Sequence, residues 1–212
     1  GDPKILPITE SEPIKKAESP YGNTKQIGEE IIKDLVNSSS NFNAISLRYF
    51  NPIGAHPSAL IGELPIGIPQ NLVPYITQTA IGKRNELTVF GDNYLTRDGS
   101  CIRDYIHVVD LAKAHIKSLE KLIKESSKNY YDAFNIGTGK GTSVLELISC
   151  FESVSGKKLN FRIGERRKGD IAKCFADVSK ANELLNWKSK HSIEDALLSS
   201  WNWEKHIKNE KL

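Results

Sequence analysis

The sequence predicts an α/β protein, because segments with strand character alternate along it with segments of helical periodicity. The strand-like runs end at Asn-Pro or Gly-Asp pairs, and the helical segments open on serine, asparagine or aspartate, which cap helices. The 212 residues, 39% hydrophobic and 26% charged, have the composition of an ordinary globular protein, which excludes disorder and collagen-like repeats.

Residues 1–18 are rich in proline, lysine and glutamate and are expected to form a surface loop. The first helix is predicted to begin at Ser19-Pro20, a serine N-cap followed by proline at the first helical position. The polar run 37–41 is expected to end it. Its apolar residues recur at helical spacing: Ile27, Ile31, Ile32, Leu35 and Val36.

A strand is expected from Ala44 to Phe50, stopped by Asn51-Pro52. Residues 52–70 are rich in proline and glycine and have little periodicity, which indicates a long functional loop. A helix over Asn71–Ile81 and a strand over Leu87–Phe90 follow.

Asp110 is expected to cap a helix that runs to about Lys124. The apolar residues of this helix are expected to share one face: Ala112, Ile116, Leu119 and Ile123.

The C-terminal part is predicted to hold one strand and three helices. Phe134–Ile136 is the strand, and Ser143 is expected to cap the next helix. Two more helices are expected at about 179–186 and 192–208. The apolar positions of the helix after Ser143 are Val144, Leu147, Ile148 and Phe151.

Charge and hydropathy exclude several classes of partner, and the cysteines and histidines bear on redox environment and metal binding. A net charge of +3 is too mild to indicate nucleic acid or an anionic membrane, and no apolar run approaches the ~18 residues that span a bilayer. The three widely spaced cysteines, Cys101, Cys150 and Cys174, fit reduced thiols in a cytoplasmic protein. The five histidines have no ligand spacing, so no metal site is expected.

Tyr21 and Lys25 lie four residues apart at the start of the first helix, so their side chains share one face. A cation so close favours the phenolate, and such a phenol can act as a general acid or base near neutral pH. By itself the pair also fits an ordinary solvated helix.

Other candidate residues also have ordinary alternatives. Tyr49-Phe50-Asn51 lies at the carboxyl end of a predicted strand, where open α/β sheets bind ligands, or is only a buried strand end. The cluster 166–170 offers arginines for phosphate and an aspartate for sugar hydroxyls, or is a solvated charge run. Arg103 is a second phosphate ligand or part of a surface ion pair, and Asn71 is an anion donor or a simple cap.

Taken together and in this order, these motifs resemble those of the UDP-glucose 4-epimerases, which belong to the extended short-chain dehydrogenase/reductase family. The resemblance runs from Gly1 to the last helix. The segments that carry it are Tyr21-x-x-x-Lys25, Arg48-Tyr-Phe-Asn-Pro-Ile-Gly-Ala-His-Pro57, Gly67-Ile-Pro-Gln-Asn-Leu72, Arg103-Asp-Tyr-Ile-His-Val-Val-Asp-Leu111 and Arg166–Asp170.

The sequence departs from the family at its start. The family opens with a strand, a glycine-rich dinucleotide turn and a catalytic serine or threonine, none of which precedes Tyr21 here. There is also no methionine, even at position 1, so we interpret the chain as a C-terminal fragment that is inactive alone. The glycine-rich stretch 137–143 has neither dinucleotide nor phosphate-loop spacing, and is interpreted as a turn followed by the Ser143 cap.

The resemblance implies a domain plan. Residues 1–52 would be the end of a Rossmann-type NAD-binding domain and residues 53–212 a mixed α/β domain for the UDP-sugar, with about 101–137 packing back on the first. It also implies a homodimer with NAD as cofactor.

The resemblance further implies residue roles in interconverting UDP-galactose and UDP-glucose by NAD-dependent oxidation and re-reduction at sugar C4. Tyr21 would be the base and Lys25 would bind the nicotinamide ribose. Tyr49 and Phe50 would pack at the nicotinamide. The UDP-sugar would be held by Asn51, Asn71, Leu72, Thr88, Phe90, Arg103, Arg167, Asp170 and Cys174.

Cys174 is small where family members restricted to plain hexoses carry tyrosine, so the resemblance implies that N-acetylated UDP-hexoses also fit. Two other functions remain open from sequence alone. One is a related nucleotide-sugar dehydratase or decarboxylase, and the other is a non-catalytic protein that binds UDP-sugars.

Overall fold

The computed structural model describes residues 3–17, 19–39 and 41–210, and its helices and short strands lie in the last two of these ranges. The helices are α1 Pro20–Ser38, α2 Leu72–Ala80, α3 Val108–Lys124, α4 Val144–Ser155, α5 Ser179–Leu184 and α6 Ile193–Glu210. The strands are β1 Ala44–Tyr49, β2 Asn51–Ile53, β3 Leu87–Phe90, β4 Ile102–Arg103, β5 Tyr105–His107, β6 Tyr131–Ile136, β7 Thr142–Ser143, β8 Phe161–Gly164 and β9 Lys173–Cys174.

Most strand pairs are parallel, which confirms the α/β class. Strand β1 pairs with β6, β2 with β5, and β3 with β8, all in parallel. Strand β4 lies between β7, which is antiparallel to it, and β9, which is parallel.

The chain changes partner between β1 and β2. Phe50 N donates to Ile136 O on the β6 side, whereas Asn51 N donates to Asp104 O on the β5 side. Strand β1 ends at Tyr49, before Asn51-Pro52 as expected, but strand β2 occupies the start of the predicted 52–70 loop. The two residues continue as a strand with a new partner, because Asn51 supplies the ladder bond that a proline cannot donate.

Two apolar cores fix these elements. The main core packs α2, α4 and α6 against β3 and β5, and includes Ile76, Val89, Leu147, Phe151, Leu197 and Trp201. The second core lies beneath α3 and α5, and includes Ile106, Leu111, Ala114, Phe134, Ile136 and Trp187.

Helix α1 begins as expected. The Ser19 hydroxyl accepts a hydrogen bond from Gly22 N at 3.1 Å, and Pro20 is the first helical residue. The predicted apolar face is largely uncovered, however, since Val36 is the buried residue of this helix. The exposed fractions of the other apolar residues include 44% for Ile27, 60% for Ile31 and 47% for Leu35.

Helix α3 begins differently from the expectation that Asp110 caps it. Its cap is His107, whose Nδ1 accepts from Val109 N at 3.0 Å. Asp110 lies inside the first turn, where its carboxylate accepts from the backbone of Lys190 and from the backbone and ring of His191. The predicted apolar face is exposed, while the buried residues are Asp110, Leu111, Ala114 and Ser118.

The stretch 137–143 is a turn followed by a helix cap, as predicted. The Ser143 hydroxyl accepts from Glu146 N at 3.0 Å, and the Glu146 carboxylate accepts from Ser143 N at 2.8 Å. This capping box begins α4.

Candidate functional site

Two neighbouring cavities contain the predicted site residues. The first, here called the tyrosine cavity, has a volume of about 720 Å³ and is lined by Tyr21, Lys25, Tyr49, Phe50, Asn51, Asn71 and Cys174, among others. The second, the arginine cavity, has a volume of about 560 Å³ and is lined by Asn51, Asn71, Leu72, Thr88, Phe90, Arg103, Arg167 and Asp170, among others. Because Asn51, Pro52 and Asn71 line both, the cavities meet there.

Tyr21 and Lys25 face each other in the tyrosine cavity. The Lys25 ammonium lies 5.0 Å from the centroid of the Tyr21 ring, as their spacing on α1 predicts. The Tyr21 side chain is 71% exposed, so its hydroxyl is open to a ligand. The pair can therefore exchange a proton with a bound molecule while a cation stays beside the phenol.

An ion pair that the sequence analysis missed joins this helix to β1. Arg48 donates from Nε and Nη2 to the two carboxylate oxygens of Glu29, both at 2.7 Å. These bonds lower the pKa of Glu29, against the effect of burial. An arginine within an apolar strand could have predicted an ion pair, because a half-buried charge needs a partner of opposite charge. The ion pair fixes the helix of Tyr21 relative to the strand that ends at Tyr49.

Asn71 precedes α2, but its side chain does not cap that helix. Its amide Nδ2 donates instead to Glu63 Oε1 at 2.7 Å, which turns the side chain toward the 54–70 loop. Simple capping, the ordinary alternative for this asparagine, is therefore wrong. The side chain lies where the two cavities meet, within reach of a ligand that spans both.

Two arginines and one carboxylate stand together in the arginine cavity. Arg167 donates from Nη2 and Nε to the Asp170 carboxylate at 3.0 and 3.2 Å, and this contact raises the pKa of Arg167. Arg103 Nη2 lies 3.9 Å from the same carboxylate. The Arg167 guanidinium is also 5.3 Å from the centroid of the Phe90 ring, so cationic and aromatic groups adjoin here.

The basic residues at 166–168 do not act as one patch. The Arg166 guanidinium lies 4.1 Å from the centroid of the buried Tyr94 ring, and its Nε donates to Asn93 Oδ1 at 2.6 Å. Lys168 is exposed. Only Arg167 of the three lines the arginine cavity.

Cys101 and Tyr105 also line the arginine cavity, and the sequence analysis gave them no role. Their positions two residues before and after Arg103 could have predicted this, because alternate residues of an extended segment share a face. Cys174 lies in the tyrosine cavity, where burial raises the pKa of its thiol.

Burial raises the pKa of the Cys150 thiol to about 11, which disfavours its reactive thiolate form. Among the described residues, no group of three or more His, Cys, Asp or Glu could hold a metal ion. No helix within the described ranges is both long and apolar enough to cross a membrane.

Comparison with known proteins decides the family. The model of the GDP-mannose 4,6 dehydratase family matches residues 1–199. The chain belongs to that family.

Within the family, the chain is similar to proteins named UDP-glucose 4-epimerase. The Bacillus subtilis (strain 168) protein is 50% identical over 204 residues, 96% of this chain and 59% of the relative. The chain therefore spans less than two thirds of the length of this relative.

Two solved epimerases share the fold. The Stenotrophomonas maltophila enzyme, with bound NAD and formylated UDP-arabinopyranose, is 45% identical with a TM-score of 0.94, over 99% of this chain and 61% of that one. The Bifidobacterium longum enzyme, in complex with NAD+ and UDP, is 46% identical with a TM-score of 0.91 and the same coverage. These matches confirm the resemblance to UDP-glucose 4-epimerases and the Rossmann-type α/β fold.

Proposed function

We propose that the complete protein carrying this chain is a UDP-glucose 4-epimerase, which interconverts UDP-galactose and UDP-glucose by oxidation and re-reduction at sugar C4. One observation carries the proposal. A cavity with a Tyr21–Lys25 pair joins, at Asn51 and Asn71, a second cavity with two arginines. The first suits proton transfer on a sugar and the second suits its diphosphate.

In this proposal residues 1–52 complete the NAD-binding domain and residues 53–212 form the substrate domain. The pairing of β6 with β1 supports a return of the 101–137 region to the first domain.

The chain fits one end of NAD. Lys25, Tyr49 and Phe50 offer a cation and two aromatic rings on one cavity, the chemistry expected around a ribose and a nicotinamide. The turn at 137–139 does not offer a pyrophosphate site, because the Asp104 carboxylate already accepts hydrogen bonds from it. When bound, NAD supplies hydride acceptance and return at the sugar carbon.

The residues of this chain supply the proton chemistry. Tyr21 removes the proton from the sugar 4'-hydroxyl during oxidation and returns it during reduction. The Lys25 ammonium stabilises the Tyr21 phenolate that takes up this proton and that forms again when the proton is returned, because opposite charges favour the ionised form. Because the two cavities meet at Asn51 and Asn71, a UDP-sugar held by its diphosphate in the arginine cavity extends its hexose into the tyrosine cavity.

The arginine cavity holds the nucleotide. The guanidinium groups of Arg103 and Arg167 suit the two phosphates, and Arg167 would reach phosphate with the N–H groups that Asp170 does not engage. The Phe90 ring suits the uracil, and the Asp170 carboxylate suits a ribose hydroxyl. Leu72 and Thr88 form the wall of the cavity, and Asn51 and Asn71 lie between diphosphate and sugar.

Turnover by the complete protein tests this function. We expect purified protein incubated with UDP-galactose to produce UDP-glucose until the two interconvert at equilibrium. A 4-keto-6-deoxy product would favour a dehydratase, the activity named by the family model. Loss of carbon dioxide from a UDP-hexuronic acid would favour a decarboxylase. Tight UDP binding without any turnover would favour a non-catalytic protein.

We further propose that the complete protein is a cytoplasmic homodimer. Support for the dimer comes from the exposed apolar stripe of Ile27, Ile31 and Leu35 on α1, spaced four residues apart. Support for the cytoplasm comes from the three free cysteines. Cross-linking and sedimentation of the complete protein test the dimer.

A further inference from the structure

The glycine-rich turn at 137–139 has no place in the chemistry above, yet it holds a buried carboxylate. Asp104 is 0% exposed and lies between Arg103 of β4 and Tyr105 of β5. Thr138 donates to Asp104 Oδ1 from its backbone N at 2.8 Å and from its hydroxyl at 2.7 Å. Gly139 N donates to Asp104 Oδ2 at 3.1 Å.

A second segment completes the shell around this carboxylate. Ala176 N, two residues beyond Cys174, donates to Asp104 Oδ2 at 3.2 Å. The carboxylate thus accepts four hydrogen bonds from two separate parts of the chain, a number that offsets the cost of burying its charge. The fit is close, because a Cβ at position 137 would lie 2.5 Å from Asp104 Oδ2.

The backbone of Asp104 connects this shell to the site. Its carbonyl accepts from Asn51 N at 2.9 Å, and its N–H donates to Cys174 O at 3.1 Å. Arg103 is the preceding residue and pairs in register with Cys174. Three predicted ligand residues, Asn51, Arg103 and Cys174, are therefore each one hydrogen bond or one peptide bond from Asp104.

We propose that Asp104 is a positioning residue of the UDP-sugar site, and that the 137–139 turn holds its carboxylate in place. The carboxylate anchored in the turn fixes the strand junction at which the tyrosine and arginine cavities meet. It touches neither substrate nor cofactor and acts through Asn51, Arg103 and Cys174. This inference rests on the proposed function and adds to it a determinant of UDP-sugar affinity.

Two variants of the complete protein test the assignment. Asp104→Asn places an NH₂ group against the Gly139 and Ala176 donors or, with the amide flipped, against the Thr138 donors. Thr138→Val is milder, since it removes one donor and keeps the branched shape. Thr138→Ser keeps the hydroxyl donor, and Lys140→Ala changes an exposed side chain of the same turn.

Calorimetric titration measures the Kd for UDP in each variant. The amount of NAD bound per protein shows whether the rest of the site is intact. We expect the Kd for UDP to rise about tenfold or more in Asp104→Asn and about threefold to tenfold in Thr138→Val. The KM for UDP-galactose rises in parallel, while kcat falls less and the NAD content stays at the wild-type value. Thr138→Ser recovers most of the affinity, and Lys140→Ala binds UDP like the wild type.

A merely structural role gives a different pattern. If the variants melt at lower temperature but their folded fraction binds UDP with wild-type Kd and KM, the assignment is overturned. If Asp104→Asn does not fold, Thr138→Val decides alone, and wild-type UDP affinity in it overturns the assignment. If the wild-type protein itself fails to bind UDP, the proposed function falls and this inference with it.

Discussion

Asp170 holds the guanidinium fork of Arg167 through two hydrogen bonds, at 3.0 and 3.2 Å, with the same fork 5.3 Å from the centroid of the Phe90 ring. Carboxylate, fork and ring therefore meet at one point of the arginine cavity. A planar, two-pronged donor is oriented here before any phosphate contact is made.

This orientation predicts that Arg167→Lys weakens UDP binding by the complete protein although the charge is kept. A point ammonium cannot keep two oriented bonds to Asp170 and also present further N–H donors to a phosphate. The loss of one charge-assisted hydrogen bond costs roughly 1.5–3 kcal/mol, which is about tenfold to a hundredfold in Kd. Calorimetry with UDP measures it, and Lys168→Ala, an exposed neighbour, is the control. Equal Kd values for wild type and Arg167→Lys would make Arg167 an ordinary surface charge.

The small side chain of Cys174 predicts which UDP-sugars the complete protein accepts as substrates. It is half-buried on the tyrosine cavity, so a small side chain there leaves room for a substituent on the hexose. We expect the complete protein to interconvert UDP-N-acetylglucosamine and UDP-N-acetylgalactosamine as well. Cys174→Tyr should abolish this activity and spare UDP-galactose, because overpacking typically costs about 1–3 kcal/mol or more.

Steady-state rates on both sugar pairs decide this prediction. Cys174→Ser, which is close in size to the native residue, should retain both activities. A wild-type enzyme that is inert toward the N-acetylated pair would contradict the prediction.

The lowered pKa of His107 predicts that the protein loses stability in acid. Burial, with a smaller effect of the His191 charge, lowers the pKa of His107 from 6.5 to about 4. The ring stacks on His191 with centroids 4.3 Å apart. Between about pH 6.5 and pH 4 the unfolded chain binds a proton that the folded protein does not, so the free energy of unfolding falls as pH falls. The His107 contribution to that loss is at most about 3 kcal/mol.

His107→Asn tests this, because an asparagine oxygen can still cap α3 at Val109 N. Urea unfolding of the complete protein between pH 7 and pH 4 should show a shallower pH dependence in this variant. His206→Asn serves as the matched histidine control. The same slope in wild type and His107→Asn would remove His107 as its cause.

The isolated 212-residue chain is expected to be marginally stable and to show no turnover. Strand β1 pairs with β6 in a two-stranded sheet, and such sheets are weak alone. Apolar residues of α3 are exposed, including Ile116 at 56% and Ile123 at 75%. Thermal melting beside the complete protein measures the difference in stability. UDP-galactose turnover by the isolated chain would refute the expectation.

Local sequence signals predicted the elements that have a local cause. Ser19-Pro20 begins α1, Ser143 begins α4, and Leu87–Phe90 is a strand, because capping and β-branched runs act within a few residues. Every predicted site residue lines one of the two cavities, and most of those assignments came from the family resemblance.

The contacts that sequence reasoning missed depend on distant partners. Periodicity predicted an apolar face on α3 centred on Ile116, but the packed face is that of Leu111 and Ala114. The buried Asp110 is explained by His191, which is 81 residues away in sequence. The partner change at Phe50 likewise depends on Asp104 and Ile136, which no local pattern around residue 50 indicates.

The most direct test of the account is the rate of Tyr21→Phe in the complete protein. This change removes the phenolic proton carrier and keeps the ring beside Lys25, so UDP affinity and NAD content should stay at wild-type values. We expect kcat for UDP-galactose to fall by about 10²- to 10⁴-fold, the usual contribution of a general acid–base group. Tyr130→Phe, which lies on neither cavity, should react at the wild-type rate. A Tyr21→Phe protein with wild-type kcat would contradict the assignment of proton transfer to this residue, and with it the proposed mechanism.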